Sequence, residues 1–173
     1  MSSDAEHKTR QSVRTVMLWV LGAMAPGVAL QAWYYGSGVF VCIVATLVFA
    51  LLFEAGALAA RGMPISGAVM DGSVAVTAVI LAVAVPPTTS IGVLAVGCAG
   101  AVLLGKHAYG GLGHNPFNPA MVGYAVLLVS FPAALSTWPA ILGGVDAMTA
   151  ATALDIARHA PLNESAQTMA TSH

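Results

Sequence analysis

KHAYGGLGHNPFNPAMVGYAVLLVSFP, from Lys106 to Pro132, is the stretch on which the reading of this chain turns. Its first half holds Gly110, Gly111, Gly113, Asn115, Pro116, Asn118 and Pro119, residues that bend or end a helix. Its second half, Ala120 to Phe131, carries no formal charge and is mostly apolar. Irregular backbone at the mouth of a membrane helix must satisfy its own N–H and C=O groups. It does so inside protein or against a ligand or ion. The same residues also read as a surface loop between two spans, since loops are ordinarily connectors.

Composition supplies the setting. Of 173 residues, 58% are hydrophobic and 8% charged, whereas a soluble domain carries roughly 25% charged residues. A chain this apolar would expose large patches in water, so the class is an all-α polytopic membrane protein in contact with lipid. The formal net charge of -1 gives no basic footprint, so nucleic acid is not an expected partner. Cys42 and Cys98 lie far apart, each in an apolar run, with no CxxC or Cys/His spacing. They read as packing residues, and no metal site is expected.

Outward from the central stretch, the chain divides into about five spans. Residues 1–14 are polar and form a cytoplasmic tail with Lys8, Arg10 and Arg14. The apolar run that follows is long and has no suitable small-residue cleavage site, so it reads as a first span, Thr15 to Tyr35, rather than a signal peptide. Pro26 kinks or interrupts it, and Trp33, Tyr34 and Tyr35 form an aromatic belt at its far end. Val39 to Ala60 is the second span. Ser73 to Val85 is the third, short of the ~20 residues a crossing needs and closed by Pro86-Pro87. Ser90 to Gly105 is the fourth, ending at Lys106, and Ala120 to Leu135 the fifth, with Trp138 at its interface. Residues 15–138 are thus the membrane domain, and residues 139–173 lie outside the membrane.

The basic residues orient this layout. With the N-terminus inside, Lys8, Arg10, Arg14, Arg61 and Lys106 fall on inside segments and only Arg158 falls outside. That agrees with the positive-inside rule and places residues 139–173 on the non-cytoplasmic face.

Glu54 stands in the middle of the second span, in LVFALLFEAGALAA. A carboxylate at that depth costs about 2.5 to 3.5 kcal/mol or more. It must face the protein interior and be protonated, hydrogen-bonded or near a cation. It reads either as part of a proton or sodium path or as a hydrogen-bonded packing residue near the cytoplasmic third. Asp71 precedes the short third span and suits a helix cap, where a carboxylate meets free N–H groups and the positive dipole end; the alternative is an orienting role towards a buried cofactor. His107 and His114 flank the glycines, and neither has a spaced His, Cys or Glu partner in the sequence. In the tail, DAMTAATALD (Asp146 to Asp155) reads on its own as a helix start, with Thr149 or Thr152 as N-cap and Asp155 at N3 of a Thr152 cap.

GGLGHNPFNPAMVGYAVLLVSFP strongly resembles the signature of the RnfD proteins, components of the Rnf electron-transport complex. It is similar, more distantly, to the NqrB proteins of the sodium-translocating NADH:quinone reductase. The stretch from Arg14 through APGVALQAWYYG, Glu54, DGSVAVTAVILAVAVPP from Asp71 to Pro87, and DAMTAATALD match as well. The resemblance covers about Gln11 to Asp155. It implies a multi-pass flavoprotein of the bacterial inner membrane, one subunit of an ion-translocating oxidoreductase complex. Such subunits carry electrons through covalently bound FMN, coupled to ion transport. Its partners would be the other subunits of the complex and a flavin transferase working on the periplasmic side. The FMN phosphoester is implied at Thr152, within a motif that Asp146, Thr149 and Ala151 complete; Ala147 and Ala150 stand where the commonest motif has Gly. A second, non-covalent flavin is a further implied cofactor. The family's proteins are about twice as long, two related halves of five spans each, so this chain is expected to be one half of a two-repeat, transporter-like fold. Two other readings compete: a pore or transporter half, and a truncated, redox-silent structural fragment.

Overall fold

The computed structural model describes residues 2–64, 71–110 and 115–139. Among the described residues every regular element is helical. Helix α1 (Ser2–Tyr35) runs unbroken through Pro26. The missing N–H of a proline is tolerated in a membrane helix because neighbouring groups re-satisfy the freed carbonyl. The polar residues before Arg14 continue this helix. A turn at Gly36, with φ of 79°, reverses the chain into α2 (Gly38–Ala60). Helix α3 (Ser73–Ala84) stops at the extended Val85 before the two prolines. Helix α4 (Ile91–Ala99) widens into a π-helical segment, Gly100–Lys106, and ends in one tight turn, His107–Tyr109. Asn118 caps α5 (Pro119–Ser130) by accepting the Ala120 N–H at 2.9 Å. The fifth apolar segment does not run intact to Leu135: it breaks at Phe131, and Pro132–Ser136 form a separate short helix, α6. A proline cannot continue the preceding helix but suits the first position of the next.

Packing gives the directions of the helices. Gly72 abuts Met17, and Gln31 Nε2 donates to the Val83 carbonyl at 3.1 Å, so α1 and α3 run parallel. Gly38 abuts Pro87, so α2 runs against α3. Cys98 Sγ donates to the Thr46 carbonyl at 3.4 Å, and further on Lys106 reaches Glu54, so α2 and α4 run parallel. One end of the bundle therefore gathers Met17, Arg61, Gly72, Lys106 and Pro119. The other gathers Tyr35, Gly38 and Pro87, with the Trp138 ring 5.5 Å from that of Tyr35.

Small residues let α4 and α5 touch at backbone distance. A Cβ added at Gly123 would lie 2.5 Å from the Gly97 carbonyl oxygen and 2.8 Å from the Ala101 Cβ. One added at Gly105 would lie 2.8 Å from the Pro119 Cα. Such contacts drive association where lipid offers no hydrophobic incentive. Gly123→Ala is therefore expected to destabilise the chain by about 1 to 3 kcal/mol, read as a lower thermal midpoint in detergent. Gly92→Ala, which meets nothing within 4 Å, is the control and should leave it unchanged.

Leu81, Leu94 and Leu127 form the centre of the core, while Trp19 and Trp33 of α1 are 76% and 78% exposed. Large aromatic side chains turned outward, with glycines at the helix contacts, are the pattern of a protein bathed in lipid. Three helical segments, Val13–Tyr35, Gly38–Ala60 and Ile91–Tyr109, are long and apolar enough to cross a bilayer. The two shorter apolar helices, Ser73–Ala84 and Pro119–Ser130, rise about 18 Å each, against a hydrocarbon core of about 30 Å. The protein is an all-α polytopic membrane protein. Helix length supports three full crossings and two shorter apolar helices, where about five spans, the third of them short, were expected.

Candidate functional site

Near the Arg61 end, three elements converge on one carboxylate. Glu54 lies on the inner face of α2, in register with the buried Thr46, Ala50 and Leu58, and is fully buried. The start of α3 supplies Ser73. The end of the π-helical segment supplies Lys106, and the residue after it is His107. Lys106 Nζ donates to Glu54 Oε1 at 2.8 Å and to Ser73 Oγ at 2.9 Å. His107 Nε2 lies 2.9 Å from Glu54 Oε2. Lys106 and His107 are themselves buried.

Consecutive residues of a regular α-helix point about 100° apart. Two neighbours therefore do not ordinarily reach the two oxygens of one carboxylate. The wider π-helical turn, followed at once by the tight turn from His107, brings both side chains to Glu54. Single π turns of this kind concentrate at functional sites.

An outer ring of contacts holds these groups in place. Asp71 Oδ1 accepts the Ser73 N–H at 2.8 Å, the capping role its position suggested. Thr77 Oγ1 donates to the Ser73 carbonyl at 3.0 Å. Arg61 Nη2 donates to the His107 carbonyl, tying the end of α2 to the end of α4. The formal charges of Glu54, Asp71, Arg61 and Lys106 cancel. His107 Nδ1 is buried and has no partner among the described residues. A cavity of about 350 Å³ opens beside Lys106, lined also by Ser73, Thr77, Asn115, Phe117 and Asn118.

Of the residues singled out in the sequence, Glu54 and Asp71 fall in or beside this cluster. Glu54 meets its condition of facing the interior beside a cation, but the cation is Lys106 rather than the nearby Arg61. His107, which has no partner at sequence spacing, meets Glu54 53 residues away. One expectation is corrected. Lys106, expected as a loop charge, is 5% exposed and bound inside the bundle. The Arg61 and Lys106 ends still coincide, as the charge parity requires. The faint signal for the pairing was a lysine and a histidine side by side at the end of a run of small residues. His114, Asp146, Thr149, Ala151 and Thr152 lie outside the described residues.

The NQR2, RnfD, RnfE family matches the chain over residues 1–172. The chain belongs to that family. It is 49% identical over 137 residues to the ion-translocating oxidoreductase complex D-subunit of Mannheimia succiniciproducens, covering 79% of this chain and 38% of that protein. The protein of the same name from Ectopseudomonas mendocina is 45% identical over 133 residues, 77% of this chain and 39% of its own length. That from Shigella dysenteriae is 43% identical over 154 residues, 85% and 44%. The chain therefore spans about two fifths of the length of these relatives.

Proposed function

We propose that this chain works as the membrane-embedded part of the RnfD component of an Rnf-type ion-translocating oxidoreductase complex, with Glu54 on the ion path. The observation that carries the reading is the Glu54 carboxylate itself. It is fully buried in a membrane bundle, and both its oxygens are held by ionisable side chains from another helix. Intramembrane carboxylates of this kind mark ion and proton pathways. A purely structural role is poorly served by such a group, because an apolar replacement of a buried ion pair is often at least as stable.

Covalent FMN at Thr152, within the Asp146, Thr149 and Ala151 motif, belongs to the same proposal. Once attached by a flavin transferase, FMN supplies electron transfer; the protein sets its position and potential. A second, non-covalent flavin would be recognised as flavin released on denaturation. The proposed setting is the bacterial inner membrane, with residues 139–173 on the periplasmic side and the other subunits of the complex as partners.

The test replaces Glu54 by Gln in the intact complex, keeping shape and an acceptor while removing the charge. Assembly and bound flavin are expected to persist, and donor-driven ion transport into sealed vesicles to fall to the level of unenergised vesicles. Unchanged transport would assign Glu54 to packing. Ion flux in the absence of any electron donor would favour a pore or transporter half instead.

A further inference from the structure

Lys106 places a positive charge between two oxygen atoms of neighbouring helices. Its ammonium is held by a carboxylate oxygen and a hydroxyl oxygen, at 2.8 and 2.9 Å, with no nitrogen or sulfur partner among the described residues. Hard alkali and alkaline-earth cations choose oxygen ligands of this type. An ammonium at the end of a lysine side chain is likewise a compact point charge, and it sits on a flexible four-carbon stem.

The same side chain also has somewhere to go. Lys106 lines the cavity of about 350 Å³, whose mostly apolar wall, with Met17 and Ile80, also includes Thr77, Asn115 and Asn118. Rotation of the stem would carry the ammonium from the Glu54 oxygen into this cavity. The root of the side chain is the last residue of the π-helical segment, where the wider turn leaves the backbone free of the tighter α-helical register. His107 stays on the other oxygen of Glu54, so the carboxylate remains oriented while Oε1 changes partner.

We propose that Lys106 is a built-in competitor for an alkali cation at Glu54. Its ammonium fills a cation site formed by Glu54 Oε1 and Ser73 Oγ. When sodium enters, the ammonium turns into the adjoining cavity, and the two cations exclude one another. This inference rests on the reading of Glu54 as part of the ion path.

The test uses the purified full chain in detergent and compares sodium chloride with choline chloride at equal ionic strength. In the wild type the site is already filled, and sodium is expected to move the thermal midpoint by less than about 1 °C. Lys106→Met vacates the site, and sodium should then raise the midpoint by at least about 3 °C. Glu54→Gln/Lys106→Met should lose that rise. A folded Lys106→Met chain indifferent to sodium overturns the proposal, as does a rise that survives in the double variant. Should Lys106→Met not fold in choline, folding that is restored by sodium supports the proposal. If sodium does not restore it, Lys106→Gln, which keeps a hydrogen bond to Glu54, is put through the same titration, and its indifference to sodium overturns the proposal. Transport by Glu54→Gln complexes separates this inference from the one beneath it. Sodium binding to Lys106→Met with normal Glu54→Gln transport would remove Glu54 from the ion path and leave the competition standing.

Discussion

Lys106→Met is expected to lower the thermal midpoint of the purified chain by about 6 to 20 °C in sodium-free buffer. The substitution keeps most of the stem's volume and removes the ammonium. It leaves Glu54 fully buried with one oxygen unpaired and Ser73 Oγ without its donor. Breaking a buried pair by removing one partner typically costs about 3 to 5 kcal/mol, and each kcal/mol lowers the midpoint of a chain of this size by about 2 to 4 °C. Glu54→Gln/Lys106→Met removes both charges together and should recover most of the loss. That contrast separates an uncompensated charge from lost packing, because the double variant packs the same methionine. A single variant as stable as the wild type would mean that the Lys106–Glu54 contact is not formed in the membrane. Arg61→Ala, which removes a donor to the His107 carbonyl, should cost less, since a backbone carbonyl at the end of the bundle can turn to water.

Thr152→Ala is expected to abolish covalent FMN. The phosphoester needs a hydroxyl as acceptor, and alanine has none. Thr149 offers the same hydroxyl three residues earlier but at another place in the motif, so Thr149→Ala should at most reduce attachment. Thr152→Ser should retain part of it, because the hydroxyl remains while the χ1 restriction of a β-branched residue is lost. The measurement is the mass of the tryptic peptide of residues 107–158, from cells that also express the flavin transferase. Fluorescence of the denatured chain under ultraviolet light gives a quick parallel readout. An adduct that persists in Thr152→Ala would sink the assignment. No adduct in the unmutated chain would count Ala147 and Ala150 against recognition and favour the redox-silent reading.

Much of the architecture was legible from residues alone because membranes impose simple local rules. Apolar runs mark helices, Gly36 and Pro86-Pro87 mark their ends, and a lone carboxylate such as Glu54 has to face inward. The helix α2 boundaries and the cap at Asp71 follow from such short-range rules. The break at Phe131 was also in reach, since Pro132 stands in the run that was read as one helix.

What sequence by itself determined is the class, most of the helical segments, the family and the burial of Glu54. Each depends on residues close together in the chain or on a transfer cost that any apolar surrounding would exact. What only the tertiary structure decided is the identity of Glu54's partners. Lys106 and His107 lie more than fifty residues away, and on an ideal helix they would not both face one carboxylate. The π-helical turn, set among glycines packed against α5, brings both to the same group. Hydrogen bonds across that distance are chosen by how helices pack, and a one-residue change in helical register decides which side chains meet.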